Sequence, residues 1–148
     1  MYTEQLTERL GIGPALNPQI LNSGATATGN AGPVDMTKFH RALFIVEIGT
    51  VVSGGSITAQ LIEDSAANLG TATNLGGSNT SMTLTTSNKQ YTFEVRADQM
   101  TKRYLGLSLT ETGGHNVTLT AIAFGDEASH KPGKAANDSS VVTQNVVS

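Results

Sequence analysis

Tyr91-Thr92-Phe93-Glu94-Val95-Arg96 carries the clearest pattern in the chain, with large apolar residues at every second position and polar or charged ones between them. A two-residue period places successive side chains on opposite faces of an extended strand, so this stretch predicts a strand with one face in a core and the other in water. The same period continues outward in both directions. Leu105, Leu107 and Leu109 alternate with Gly106, Ser108 and Thr110, and Val117, Leu119, Ala121 and Ala123 begin a further strand in which Ile122 and Phe124 make the second half apolar on both sides. Upstream, Ile57, Ala59 and Leu61 alternate with Thr58 and Gln60, and Met82-Thr83-Leu84-Thr85 is a short extended run. Phe39 to Thr50 is apolar on both faces at its centre, which predicts a strand in the middle of a sheet.

Turns separate these runs. Gly54-Gly55, the Gly- and Asn-rich stretch from Asn68 to Asn79, Ser87-Asn88, and Gly113-Gly114 fall between strands, and Asp98 to Lys102 reads as a turn or one helical turn. Six candidate strands at intervals of roughly ten to fifteen residues, without an ordinary amphipathic helix, describe an all-β protein. The predicted architecture is an antiparallel β-sandwich of jelly-roll type. The outward halves of the strands are rich in Thr and Ser, which explains how a chain of 148 residues has only 14% charged residues.

The flanks read differently. Residues 1–37 are interrupted by Gly13-Pro14, Asn17-Pro18 and the stretch from Ser23 to Pro33, so they are expected to form an extended arm or a disordered terminus, with at most two helical turns over Thr3 to Leu10 capped by Thr3. Residues 38–126 are the expected sandwich, and 127–148 a polar tail. Within that tail, Val141-Val142-Thr143-Gln144-Asn145-Val146-Val147 has the composition of an edge strand, at home or on a neighbour, or of a frayed end.

Sites of chemistry are sparse. Absence of Cys removes disulfides, thiolate nucleophiles and Cys-based metal sites together. No Gly-X-Ser-X-Gly elbow occurs, and Ser53 and Ser56 sit in a predicted turn. Gly11-Ile12-Gly13-Pro14 lacks the strand and helix that make a glycine loop cradle phosphate. His40, His115 and His130 fall in a strand start, a turn and the tail, with nothing to predict convergence on a metal. Glu63-Asp64 and Asp126-Glu127 lack the alternating ligand pattern of a calcium loop and are expected to be solvated strand ends. No catalytic residue, cofactor or metal site is therefore assigned, and the chain is expected not to be an enzyme.

Lys102-Arg103 and His130 to Lys134 are the densest basic spots, too small to predict nucleic-acid binding. The longest apolar run, Ala42 to Val46, is far short of a membrane span. Met1 to Arg9 lacks the features of a secretory signal, which predicts a chain kept in the cytoplasm until assembly or lysis.

Three stretches carry a resemblance. Val34-Asp35-Met36-Thr37-Lys38-Phe39-His40-Arg41-Ala42-Leu43-Phe44-Ile45-Val46, then Phe93 to Asp98 with Arg103-Tyr104, and Val117 to Phe124 followed by Gly125-Asp126, resemble small proteins encoded beside the major capsid gene of tailed bacteriophages and prophages. The resemblance implies a non-enzymatic virion structural protein: a head decoration or cement protein that binds and stabilises the major capsid shell. It further implies the major capsid protein and other copies of the chain as partners, a homo-oligomer such as a trimer, and a location on the capsid surface. The competing expectation is a carbohydrate- or receptor-binding β-sandwich of a virion tail or adhesin, although the chain has no Trp to stack on a sugar.

The expected contacts are residues outside the predicted core. In the arm these are Tyr2, Leu6, Leu10, Ile12, Leu16, Ile20 and Leu21, and in the tail Val141, Val142, Val146 and Val147. Arg41, Glu94, Arg96, Lys102, Arg103 and Tyr104 are secondary candidates. On this reading, deleting residues 1–33 is expected to leave the sandwich folded and to weaken capsid association.

Overall fold

A computed structural model describes residues 6–27 and 30–128. A single helical turn, α1 (Leu6–Arg9), precedes ten strands: β1 (Gly11–Ile12), β2 (Leu16–Leu21), β3 (Ala31–Asp35), β4 (Phe39–Val51), β5 (Ile57–Asp64), β6 (Thr73–Asn74), β7 (Ser81–Leu84), β8 (Lys89–Arg96), β9 (Tyr104–Glu111) and β10 (Val117–Ala128). They form two antiparallel sheets. Sheet A runs β1-β10-β4-β8 with β2 also on β10, and sheet B runs β3-β9-β5-β6 with β7 also on β5.

The pairing is nested. β2 pairs with β10, β3 with β9, β4 with β8 and β5 with β7, all antiparallel. This is the pattern of one long hairpin folded over on itself, closed by the β10–β4 and β9–β5 pairings. It is jelly-roll topology, with the two sheets stacked across one core. The predicted alternation places the core residues: Phe44 and Val46 from β4, Phe93 and Val95 from β8, Leu105, Leu107 and Leu109 from β9, and Val117 and Leu119 from β10 are all buried. Each large apolar side chain sealed between the sheets contributes about 1.5–3 kcal/mol relative to exposure. β4 lies in the middle of sheet A, as its two apolar faces predicted.

The expected arm is corrected over residues 11–35, which instead supply β1, β2 and β3. Leu16 and Leu21 are each 2% exposed and belong to the core, so neither is a surface contact. β2 and β3 escape a periodicity reading because each carries a proline, Pro18 in β2 and Pro33 in β3, and among the described residues each pairs on one side only. A proline removes a ladder donor and is tolerated at such an edge. Thr3, the expected cap, lies outside the described residues, and α1 is a single turn.

Gly113 shows how tightly the loops close. A Cβ there would meet the backbone of Gly54 and Ser56, and backbone cannot move aside as a side-chain tip can. Gly113→Ala is expected to lower stability by about 1–3 kcal/mol, the range for inserting a methyl group into a filled site. Gly76→Ala, where a Cβ meets nothing, is the control and should shift the urea midpoint negligibly.

Candidate interaction surface

The outer face of sheet A is apolar along its centre. On β4, Ala42, Phe44, Val46 and Ile48 turn into the core, so Leu43 and Ile45 turn outward. On β10, Ile122 lies opposite Ile45, and Phe124 opposite Leu43. All four are half-buried, and none of them belongs to the core cluster or to the side chains packed against it. Most outward strand positions elsewhere are hydroxylated or charged, so this cluster is an unusual use of the solvent side of a sheet.

Charges frame the cluster. Glu94 lies opposite Leu43 on β8, and Arg41 reaches towards Glu94 at 3.6 Å and Glu127 at 3.4 Å. At the far end, Gln90 Nε2 donates to Glu47 Oε1 at 2.6 Å. Helix α1 lies against the end of β10, held by a bidentate pair in which Arg9 Nε and Nη2 donate to Asp126 Oδ1 and Oδ2, both at 2.7 Å. The Arg9 hydrogen bonds outweigh burial and hold the Asp126 carboxyl below the ordinary carboxylate range. Between helix and sheet runs a groove of about 360 Å³ lined by Leu6, Leu10, Arg41, Leu43 and Glu94 among others. Four expected contact residues therefore converge here: Leu6, Leu10, Arg41 and Glu94.

A second group of expected contacts meets at the end of the sandwich near β3. Arg103 Nε and Nη2 donate to Asp35 at 3.0 and 2.7 Å, and its guanidinium stacks 4.9 Å from the Tyr104 ring centre. Arg103, reinforced by Thr37, overcomes partial burial and lowers the Asp35 carboxyl to about 2. A cleft of about 400 Å³ beside this pair is lined by Ile12, Lys38, Arg103 and Tyr104 among others.

The remaining candidates are dispersed. Arg96 pairs with Asp98 at 3.2 Å, Lys102 Nζ donates to Thr73 Oγ1 at 2.8 Å, and Ile20 is 63% exposed on β2. Tyr2, Val141, Val142, Val146 and Val147 lie outside the described residues.

Among the described residues three carboxylates are buried, and two of them correct an expectation. Glu63 and Asp64 are 4% and 2% exposed rather than solvated. Glu63 accepts from Thr101 N at 2.8 Å, Thr101 Oγ1 at 2.5 Å and Lys102 N at 3.0 Å. Asp64 accepts from Thr71 N at 2.8 Å and Ala66 N at 3.2 Å. Glu111, 1% exposed, accepts from Gly24 N, Gly113 N and His115 N at 2.7, 2.6 and 3.1 Å.

Each carboxylate thus stands in for a missing ladder partner and ties a loop to the sandwich. For Glu111, the Gly24 N–H leads the interactions that lower the carboxyl below its ordinary value. For Glu63 and Asp64, burial pushes upward, and hydrogen bonds from Thr101 and Lys102 and from Ala66 and Thr71 more than reverse it. Glu111 has a sequence signal: it continues the inward series Leu105, Leu107, Leu109, immediately before the Gly113-Gly114 turn.

Among the described residues, no three His, Asp or Glu side chains gather as a metal site, and no helix is long and apolar enough to cross a membrane. No family model matches the sequence, and no curated protein matches it.

Solved structures include distant likenesses. A chain of Bacillus endospore appendages, described as disulfide-linked pili, superposes with TM-score 0.43 at 9% identity, over 87% of this chain and 99% of that one. Chains of infectious bursal disease virus, strains Gx and Gt, superpose with TM-scores 0.40 and 0.39, both at 9% identity, over 82% and 78% of this chain. This chain spans only 35% and 33% of the length of those two. The jelly-roll assignment rests on strand pairing and not on these superpositions.

Proposed function

We propose that the protein is a non-enzymatic structural component of a virion, a decoration or cement protein that binds the major capsid shell through the outer face of sheet A. The observation that carries this reading is the Leu43, Ile45, Ile122 and Phe124 cluster, framed by Arg41, Glu94 and Glu47 and bordered by the α1 groove. An apolar centre with a charged rim is the anatomy of a protein–protein contact. The resemblance of residues 34–46, 93–98 and 117–126 to proteins encoded beside capsid genes points the same way, and these stretches include residues 39–46 of β4, the second half of β8 and most of β10, the strands that build the face. The buried carboxylates support a non-catalytic role, since their oxygens are engaged by loop N–H and hydroxyl groups. In a symmetric shell, many modest contacts add by avidity.

Cryo-electron microscopy of purified particles tests the proposal. The wild-type protein is expected on the shell with the sheet A face inward. Ile45→Lys combined with Ile122→Glu is expected to retain the wild-type circular dichroism spectrum and lose about tenfold or more of shell occupancy, because central apolar contacts carry most interface energy. Absence of the wild-type protein from particles, or saturable glycan binding without affinity for shells, would overturn the reading.

A further inference from the structure

The proposed shell contact uses a sheet face; a separate inference concerns a sheet edge and holds whatever the shell partner is. Antiparallel sheets end in strands whose outer N–H and C=O groups lack a ladder, and proteins blunt such edges with proline, bulges or short strands. Three of the four edges here are blunted in this way. β1 and β2 divide one edge between two short strands, one carrying Pro18. β3 has Pro33 and a register shift between Ala31 and Val34, and β6 and β7 divide the fourth edge. The exception is β8, which pairs with β4 in unbroken register from Ile48–Lys89 to Arg41–Arg96 and contains neither glycine nor proline. Among the described residues, no strand pairs on its other side.

Space lies beside that edge. A cleft of about 450 Å³ opens between Glu94, Val95 and Gln99 on one side and the Gly76–Thr80 loop on the other. The chain continues beyond the described residues for 129–148, and Val141 to Val147 is uncharged, free of glycine and proline, and dominated by valine. It is a strong strand-forming segment.

Direction and reach fit. β8 and β10 are both antiparallel to β4, so they run the same way, and Asp126, Arg41 and Arg96 lie in one row across the sheet. The end of β10 therefore lies on the same side of the sheet as the Arg96 end of β8, so a strand returning along β8 from there would be antiparallel to it. The new strand position lies roughly 14 Å from β10 at about 4.8 Å per strand. Residues 129–140 can extend roughly 40 Å.

We infer that Val141–Val147 adds to the free edge of β8 in the same chain as an antiparallel strand occupying this cleft. The same chain wins over a second copy on concentration: a short linker presents its own strand at about millimolar effective concentration, far above micromolar protein in solution.

Hydrogen–deuterium exchange of the full chain, a chain ending at Ser140, and the full-length Gln144→Pro variant tests this at low and high protein concentration. In the full chain, amides of alternate β8 residues are expected to be protected equally at both concentrations. In the shortened chain and in Gln144→Pro, those amides should exchange about tenfold or more faster, with β4 and β5 unchanged. Equal β8 exchange in all three proteins would overturn the inference. So would protection that grows with concentration, which assigns the strand to a second copy, or faster exchange throughout the sandwich, which makes the tail a global stabiliser.

Discussion

A chain lacking residues 1–33 is expected not to fold, rather than to fold and bind weakly. The deletion removes β1, β2 and the first half of β3, and with them the partners of β10 and β9 on their outer sides. It also removes Leu16, Leu21, Ala27 and Ala31 from the core. Losing the two leucines alone is comparable to large-to-small core substitutions, each of which costs about 2–5 kcal/mol, against a total stability of about 5–15 kcal/mol for an ordinary domain.

Point variants isolate the cause. Leu21→Ala should lower stability by about 2–5 kcal/mol, whereas Ile20→Ala, one residue away but 63% exposed, should change it by less than about 0.5 kcal/mol. Circular dichroism and urea titration of the three proteins decide the matter. A cooperatively folded deletion protein, or equal effects at positions 20 and 21, would return this segment to the status of an arm.

That contrast shows what was legible and what was not. The central strands were legible because each buries one face over several residues, and period two is the imprint of that burial. β2 buries only its two ends, Leu16 and Leu21, with Asn17, Pro18, Gln19 and Ile20 outside the core between them, so its pattern has no period to find. Proline and glycine break a local pattern and so predict an arm, whereas Pro18 and Gly32-Pro33 lie within the edge strands β2 and β3.

The candidate surface was half legible. Apolar residues on both faces of β4 and β10 are visible in the sequence, and those of β4 predict a central position in the sheet. That position is correct, but it does not explain Leu43, Ile45, Ile122 and Phe124, which face outward. Only the register of β4 against β10 assembles these four into one cluster, and register depends on long-range pairing that no local pattern encodes. The groove under α1 likewise required knowing that Arg9 reaches Asp126 across 117 residues.

Lowering the pH is expected to unfold the protein through its carboxylates. Asp35, Glu63, Asp64, Glu111 and Asp126 all have folded-state affinities for protons below the ordinary values of 3.8 for Asp and 4.5 for Glu. A carboxylate of this kind binds protons more readily in the unfolded chain. It therefore contributes stability that is complete above the ordinary value and is lost as pH falls through the folded one. For Asp35 the fall extends to about 2. Its partner Arg103 is about half exposed, so this pair supplies only about 0–1 kcal/mol.

The larger effect belongs to the three buried clamps, because protonation turns an acceptor facing several N–H groups into a donor and releases the loop it holds. The urea midpoint should stay level from neutrality to about pH 5, then fall steeply toward pH 2. Glu111→Gln separates the clamp from general acid effects. The amide has one oxygen where Gly24, Gly113 and His115 engage two, and its NH₂ group faces donors, so the variant should be less stable at neutral pH and should lose less on acidification. A midpoint that stays level to pH 2, or a Glu111→Gln protein with the wild-type profile, would show that these carboxylates do not hold the loops.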